Sequence, residues 1–140
     1  MNTLEKINGI VEWWLNLPAD YNGLNDLMHK RQILSAHLYG LATDLSKARN
    51  SWSEAQAMLE EKKNKKRVEF SKLPSSSNQK ADYQARANTA ELFELEKRYE
   101  GLYFGMKHQY EAVIQVLEAM AQRIAILRRE WETKNLNIGA

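Results

Sequence analysis

A regular alternation of apolar and polar positions near the C-terminus predicts a long amphipathic helix. From Tyr110 to Trp131, apolar side chains recur at alternating steps of three and four residues, the heptad spacing of a helix that keeps one seam against another helix. Further apolar residues such as Ile114 and Ile126 widen this seam, so we expect the helix to be buried between several others. We interpret 102–134 as an oligomerisation helix, with the following interface residues: Met106, Tyr110, Val113, Leu117, Met120, Ile124, Leu127 and Trp131.

A second heptad seam occupies the first half of the chain. Its members are Leu27, Arg31, Leu34, Leu38, Leu41, Leu45, Ala48, Trp52, Ala55 and Leu59. Only Arg31 is charged, and the spacing predicts a long helix over 25–72. At about 1.5 Å per residue the part of this helix up to Phe70 is already roughly 65–70 Å long, which exceeds the diameter of a compact domain of this mass. We therefore expect it to stand out from the body or to pack against other subunits.

Proline and a turn sequence separate a short N-terminal helix from the long one. Thr3 is a suitable N-cap. Pro18 ends the predicted helix over 1–17, because proline disfavours helical geometry in the residue before it. The sequence ADYNG at residues 19–23 predicts a turn before the long helix begins.

A polar loop and two glycines divide the second half of the chain. Ser76 and Gln79 match a capping box, which predicts a return helix over 79–100. Gly101 and Gly105 lie where the heptad spacing stutters. Glycine inside a helix costs about 1 kcal/mol relative to alanine, so we expect a break or bend at this pair. The oligomerisation helix would follow, and its tail beyond residue 134 should fray.

Composition supports an all-α fold class in a single domain over 1–140: a long helical hairpin, forming a coiled-coil-like arm, with a C-terminal assembly helix. The chain has only two prolines and six glycines, and it is rich in helix-forming residues. It shows neither an uncharged apolar run of membrane-spanning length nor a signal peptide. Cysteine is absent, which excludes disulfides and thiolate catalysis and fits a cytoplasmic location.

Basic residues concentrate where the long seam ends. The stretch from Lys62 to Arg86 contains eight basic residues and two acidic ones. Its net charge is therefore +6, and that of the rest of the chain is −4. Cations for phosphates and interleaved aromatic rings for bases are what single-stranded nucleic acid requires of a surface. A solvated helix end, an anionic membrane and an acidic protein partner are the alternatives. The candidate nucleic-acid-binding residues are Lys62, Lys63, Lys65, Lys66, Arg67, Phe70 and Lys72.

The inventory of reactive side chains does not predict an enzyme. His29, His37 and His108 form no pair at the i, i+4 spacing of a helical metal site. Glu60 and Glu61 are adjacent, so they point to different parts of a helix surface and do not converge as an acid/base pair. No glycine-rich phosphate loop is present. We expect no catalytic activity, no cofactor and no metal.

The layout of these elements resembles that of the UvsY-type recombination mediators of T-even-like phages. That family combines a helical hairpin arm, a basic segment of the type Lys-x-Arg-aliphatic-acidic-aromatic, a short polar loop and a C-terminal amphipathic helix for oligomerisation. The sequence KKRVEF at 65–70 resembles the basic segment, with Lys65 and Arg67 on the two positions tied to single-stranded DNA. Residues 102–129 are similar in pattern to the C-terminal segment, including a basic residue near Arg123.

The resemblance implies ring-like homo-oligomers that bind single-stranded DNA, help displace the single-strand-binding protein and promote loading of a RecA-class recombinase in DNA recombination and repair. It also implies that no cofactor is used and that the protein acts in the cytoplasm of an infected bacterial cell. Two other classes stay open. One is a coiled-coil structural or adaptor protein whose basic end docks an acidic protein. The other is a secreted helical hairpin of the WXG type, which the glycine-free sequence Trp52-Ser53-Glu54 disfavours.

Overall fold

Four helices make up the described part of the chain. The computed structural model describes residues 2–72 and 78–139. These residues form α1 (Thr3–Leu15), α2 (Leu24–Ser71), α3 (Asn78–Asn88) and α4 (Ala90–Gly139), and none of them forms a strand. The predicted all-α fold class is confirmed. None of these helices has the length and apolar content that crossing a bilayer requires.

The two long helices, α2 and α4, pack against each other in opposite directions. Arg31 on α2 donates a hydrogen bond from Nε to the carbonyl of Leu117 on α4 at 3.1 Å. Met28, three residues before Arg31 on α2, accepts a hydrogen bond at its sulfur from Nη2 of Arg128, which comes eleven residues after Leu117 on α4. Because residue numbers rise on one helix as they fall on the other, the pair is an antiparallel helical hairpin, as predicted.

The chain divides into two compact units. Unit 1 combines Met1–Thr43 with Lys107–Ala140, and unit 2 is Asp44–Met106. Unit 1 contains a hydrophobic core to which α1, α2 and α4 each contribute residues at helical spacing. The expectation that the C-terminal helix is buried among several others is therefore met by helices of the same chain. The buried core residues are Ile7, Ile10, Leu27, Leu34, Leu41, Val113, Leu117, Met120, Ile124 and Leu127.

The N-cap of α1 is Asn2, so the prediction of Thr3 is wrong. The Asn2 side chain accepts a hydrogen bond from the Glu5 amide at 2.8 Å, and the Glu5 carboxylate accepts one from the Asn2 amide at 3.2 Å. This capping box requires an acceptor side chain three residues after the cap. With Thr3 as the cap, that position would hold Lys6, which has only donors. The helix ends at Leu15, two residues before the predicted end at residue 17.

The predicted turn between α1 and α2 is held in place from α4. Arg123 donates from Nη2 to the carbonyls of Ala19 at 2.7 Å, Tyr21 at 2.9 Å and Pro18 at 3.4 Å. The Tyr21 hydroxyl in turn donates to the carboxylate of Asp26 at 2.9 Å. Burial, followed by this hydrogen bond and the negative charge of Asp26, raises the pKa of Tyr21. One guanidinium therefore satisfies several carbonyls of a segment that has few backbone partners of its own.

The predicted break at Gly101 and Gly105 is wrong, because α4 continues through both glycines to Gly139. The part of the predicted return helix from Ala90 onward and the oligomerisation helix are therefore one helix, which also extends past residue 134. Both glycines are exposed, and a Cβ built at either position meets no heavy atom within 4 Å. Close packing does not account for them. Packing on the other side of the helix, where Tyr103 is buried, offsets their cost of about 1 kcal/mol each.

The interruption in the second half of the chain lies at Thr89, between α3 and α4. Thr89 is buried, and its hydroxyl donates to the carbonyl of Ala85 at 2.9 Å. Its amide donates to the carbonyl of Arg86 at 3.3 Å, a contact that tightens the end of α3. The side chain thus competes with the helical ladder at this point. The predicted capping residue Ser76 lies outside the described residues, and α3 begins at Asn78.

Unit 2 has a small core that includes a buried carboxylate. Glu96 is 6% exposed and accepts a hydrogen bond from Trp52 Nε1 at 2.8 Å. The Trp52 ring stacks on Tyr103 with centroids 5.4 Å apart, and Arg49 donates to the Tyr103 hydroxyl at 3.2 Å. A tryptophan at a seam position needs a partner for its N–H when it is buried, and Glu96 supplies that partner.

Candidate nucleic-acid interface

The predicted nucleic-acid-binding residues occupy the last turns of α2 and the residue that follows them, all within unit 2. They do not form one face. Successive residues of an α-helix are about 100° apart around its axis, so residues two apart point to nearly opposite sides. Lys65 and Arg67, the two positions that the resemblance ties to DNA, are therefore on opposite sides of α2. Any polyanion that contacts both has to wrap around about half of the helix circumference.

Three of the predicted residues continue the packed seam of α2 beyond Leu59. Lys63, Lys66 and Phe70 follow Leu59 at steps of four, three and four residues, and all three are only partly exposed. The Lys66 side chain, for example, is 31% exposed. Lysine can lay its aliphatic stem along an apolar surface while its ammonium stays in water. The sequence predicted that the seam ends where the basic residues begin. In the structure the seam continues, and two of its further positions are occupied by lysines.

The basic residues fall into paired and unpaired groups. Lys65 Nζ lies 3.1 Å from the carboxylate of Glu61, and Lys66 Nζ lies 3.3 Å from that of Glu69. Exposed pairs of this kind contribute at most about 1 kcal/mol, so a phosphate can replace the carboxylate at little cost. Four others form no ion pair with any described residue: Lys62, Lys63, Arg67 and Lys72.

In the described part of the chain, three clefts adjoin the basic end, and each is lined by a different cation of α2. Arg67 lines a cleft of about 580 Å³ together with Asp82 of α3. Lys62 lines one of about 500 Å³ that also contains Glu91 and Glu94. Lys63 lines the third, which we call the Phe93 cleft; its volume is about 410 Å³ and its lining residues are Leu59, Lys63, Arg86, Thr89, Ala90 and Phe93.

The aromatic side chains of unit 2 differ in how much surface they offer. Phe70, the ring predicted to take part in binding, is partly buried on the seam. Tyr83 on α3 is 75% exposed, and Phe93 on α4 is 50% exposed. Lys97 Nζ lies over the Phe93 ring, 5.5 Å from its centroid, and a hydrogen bond with Glu100 raises the pKa of Lys97.

Phe93 was not among the residues predicted from the sequence, although the sequence contains a signal for it. The seam of this segment runs through Leu92 and Leu95. A large aromatic residue directly after a seam position points away from the packed face, because neighbouring residues on a helix are about 100° apart. An off-seam ring in the basic half of the hairpin is therefore a candidate for binding rather than for packing.

The residues predicted to form the oligomer interface lie mostly inside the chain. Val113, Leu117, Met120, Ile124 and Leu127 belong to the core of unit 1 and are at most 9% exposed. Their heptad seam is satisfied by α1 and α2 and does not require a second chain. The other three predicted interface residues are not in this core. Met106 and Tyr110 are partly exposed, and Trp131 is 61% exposed. Oligomerisation stays a prediction, and exposed positions would have to carry it.

No protein-family model matches the chain, and neither a curated protein sequence nor a solved structure resembles it significantly. Across residues 2–72 and 78–139 there is no cluster of three or more histidine, aspartate or glutamate side chains that could hold a metal ion. The class that fold and site define is an all-α helical-hairpin protein with a basic cluster at the end of one long helix.

Proposed function

We propose that this protein is a non-catalytic mediator of recombination that binds single-stranded DNA and helps load a RecA-class recombinase onto it. The observation that carries the DNA-binding part is the set of four cations without carboxylate partners among the described residues, located where the sequence is most basic. The recombinase-loading part rests on the resemblance of residues 65–70 to the basic segment of UvsY-type mediators. The role implies a cytoplasmic setting.

The placement of the cations favours a flexible strand over a rigid duplex. Lys65 and Arg67 point to opposite sides of α2, and Lys62 and Lys63 line different clefts. A single strand can bend around a helix end and meet cations on several sides, whereas a duplex presents its phosphates on a stiff cylinder. Oligomerisation would present several such helix ends to one strand, so that modest contacts add as avidity.

The first test is the affinity for a labelled single-stranded oligonucleotide, measured by fluorescence anisotropy across a salt series. We expect log K to fall with log salt by about 0.7 per phosphate neutralised. Replacing Lys65 and Arg67 by alanine should weaken binding about tenfold or more and reduce this slope by about 1.4, because two phosphate contacts are lost. Alanine keeps the helix intact, since it has the highest helix propensity.

A matched control replaces Arg129 and Lys134 by alanine. These are two exposed basic residues of α4 in unit 1, so the change in net charge is the same while the basic cluster is untouched. We expect its affinity and slope to stay close to those of the unaltered protein. Equal losses in both variants would show that binding follows net charge rather than this site, and no binding at low salt would refute the proposal.

A second measurement separates a mediator from a simple DNA-binding protein. It follows the assembly of a RecA-class recombinase on single-stranded DNA that is already covered by single-strand-binding protein. We expect the unaltered protein to shorten the lag before assembly and the Lys65/Arg67 double variant to lose most of that effect. DNA binding without any change in the lag would leave only the binding part of the proposal standing.

The alternative function is that of an adaptor that binds proteins and not DNA. The observation in its favour is a set of large apolar side chains on α4 that remain at least half exposed. Exposed apolar surface of this kind often marks contacts between proteins. An adaptor would show no salt-dependent affinity for the oligonucleotide, so the anisotropy measurement separates the two functions. The residues are Phe93, Leu102, Ile126, Trp131 and Leu136.

A further inference from the structure

We propose that the Phe93 cleft is a base-stacking subsite, in which the Phe93 ring takes one nucleobase of a single strand while Lys63 and Arg86 hold the flanking phosphates. This inference rests on the proposed DNA-binding function and extends it, because Phe70, the ring among the residues predicted from the sequence, is partly buried on the seam. All of the lining residues belong to unit 2.

The composition of the cleft is what a base with its phosphates requires. Leu59, Ala90 and the Phe93 ring provide an apolar surface, and Lys63 and Arg86 add two cations. The volume of about 410 Å³ falls within the range of small-molecule sites. Stacking on an aromatic ring is available to every base, because each has a π-face.

The lining residues of the Phe93 cleft include no carboxylate, which distinguishes it from the other two clefts at the basic end. The cleft with Arg67 contains Asp82, and the cleft with Lys62 contains Glu91 and Glu94. A carboxylate in a cleft repels a phosphate and favours cationic ligands instead. Of the three, the Phe93 cleft therefore has the charge that complements a nucleic acid, and it alone has an aromatic ring among its lining residues.

The cations around Phe93 are held loosely enough to accept a phosphate. Arg86 Nη2 lies 3.3 Å from Asp82 in an exposed pair, and Lys63 forms no ion pair with a described residue. Lys97 covers one face of the Phe93 ring and pairs with Glu100 at 3.0 Å. Lys97 is not among the residues that line the cleft, so it does not occupy the part of the Phe93 ring that lines it.

The cleft offers little to distinguish one base from another. Apart from the two cations, Thr89 has the polar side chain among the lining residues, and its hydroxyl already donates to the carbonyl of Ala85. Base identity is read through hydrogen bonds to base edges, whereas stacking tolerates any base. We therefore expect affinity without strong sequence preference, which suits a protein that acts along arbitrary single strands.

The test compares an oligothymidine strand with an abasic strand of the same length, which has the same phosphates but no bases. Anisotropy at one low salt concentration gives both affinities. We expect the unaltered protein to bind the strand with bases at least about fivefold more tightly, since stacking on one aromatic residue contributes at least that factor. Phe93→Leu should abolish this preference and leave the affinity for the abasic strand unchanged, whereas Phe93→Tyr should retain the preference.

The matched control is Tyr83→Leu, which removes a more exposed ring from the same unit at a position that does not line the cleft. It should keep the full preference for the strand with bases. Circular dichroism should show the same helicity for all variants, because neither ring lies in the core.

The possible outcomes separate failure of the inference from failure of the proposed function. If Phe93→Leu keeps the preference, or if the unaltered protein binds both strands equally, the stacking subsite is refuted while DNA binding stands. If the unaltered protein binds neither strand, the proposed function and the subsite fall together. Loss of preference only in Phe93→Leu supports both.

Discussion

At the scale of single residues, arginines of this chain act in the interior as well as at the surface. Arg31 is the charged member of the α2 seam, and its Nε donates to the carbonyl of Leu117. Arg123 donates to carbonyls of the turn that joins α1 and α2. The family resemblance points to a basic residue near Arg123 without assigning its contacts. In this structure that residue holds together the two ends of unit 1.

Replacing Arg123 by methionine should lower the free energy of unfolding by about 1–3 kcal/mol. Methionine keeps a similar apolar stem but donates nothing to the carbonyls of Ala19 and Tyr21, and hydrogen bonds from charged groups contribute on that scale. Urea denaturation followed by circular dichroism measures the change. Arg129→Met is the control, because that side chain is exposed on the same helix. Equal effects in the two variants would contradict a stabilising role for the hydrogen bonds between Arg123 and the turn.

At the scale of helices, the heptad spacing predicted the packed faces of α2 and α4, whereas the predicted N-cap of α1 and the predicted break at the glycines were wrong. Apart from Trp131, the positions of both long seams are buried or partly buried as their periodicity indicated, because an apolar stripe on a helix has to be covered. The cap and the break were wrong for local reasons. Asn2 rather than Thr3 has an acceptor side chain at the third residue after it, and Thr89, buried in unit 2, ends α3 where no proline or glycine marks the position.

The two glycines led to a wrong prediction because the free energy that glycine costs inside a helix is small compared with the free energy gained by packing a long helix. Two glycines cost about 2 kcal/mol in total, and α4 gains more than this by burying Tyr103, Val113 and the residues that follow them. The pattern of apolar residues also no longer marks the packed face of α2 where lysines occupy the seam positions after Leu59. For that reason the partial burial of Lys63 and Lys66 could not be anticipated from their charge.

Replacing Gly101 and Gly105 by alanine should raise stability by about 0.5–1 kcal/mol at each site. The added methyl groups meet no atom within 4 Å, and alanine reduces the entropy that the unfolded chain loses on folding. Thermal unfolding measures the gain. Gly23→Ala is the opposing control: a Cβ there collides with the Tyr21 ring, so this variant should be less stable. A loss of stability in the Gly101 and Gly105 variants would mean that the glycines serve a bend.

At the scale of the whole molecule, the candidate sites were predicted unevenly. The basic cluster could be located from charge alone, because a run of lysines and arginines is very rarely fully buried. The oligomer interface could not be derived in the same way. A heptad seam shows that a helix has a partner but not which chain supplies it, and here residues such as Leu117 and Ile124 are covered by α1 and α2.

Two substitutions on α4 distinguish an oligomer contact from the core. Leu117→Glu should lower the stability of the fold by about 4 kcal/mol or more, because it places an unpaired charge among buried side chains. Trp131→Glu should leave the melting temperature almost unchanged, because that ring is 61% exposed. If Trp131 contributes to an oligomer, its replacement should reduce the mass measured by light scattering. Unchanged mass would exclude this residue from any interface.

Unit 1 is built from two segments that are far apart in the sequence, Met1–Thr43 and Lys107–Ala140, and this has a consequence for biosynthesis. Its hydrogen bonds join residues 86 positions apart, as between Arg31 and Leu117, and up to 105 apart, as between Arg123 and Pro18. On the ribosome, Leu27, Leu34 and Leu41 therefore emerge long before the α4 residues that cover them. During that interval the nascent chain exposes an apolar stripe, which is the kind of surface that chaperones bind and that favours aggregation. A ribosome that stalls before residue 113 would leave a nascent chain without the C-terminal half of this core, from Val113 to Leu127.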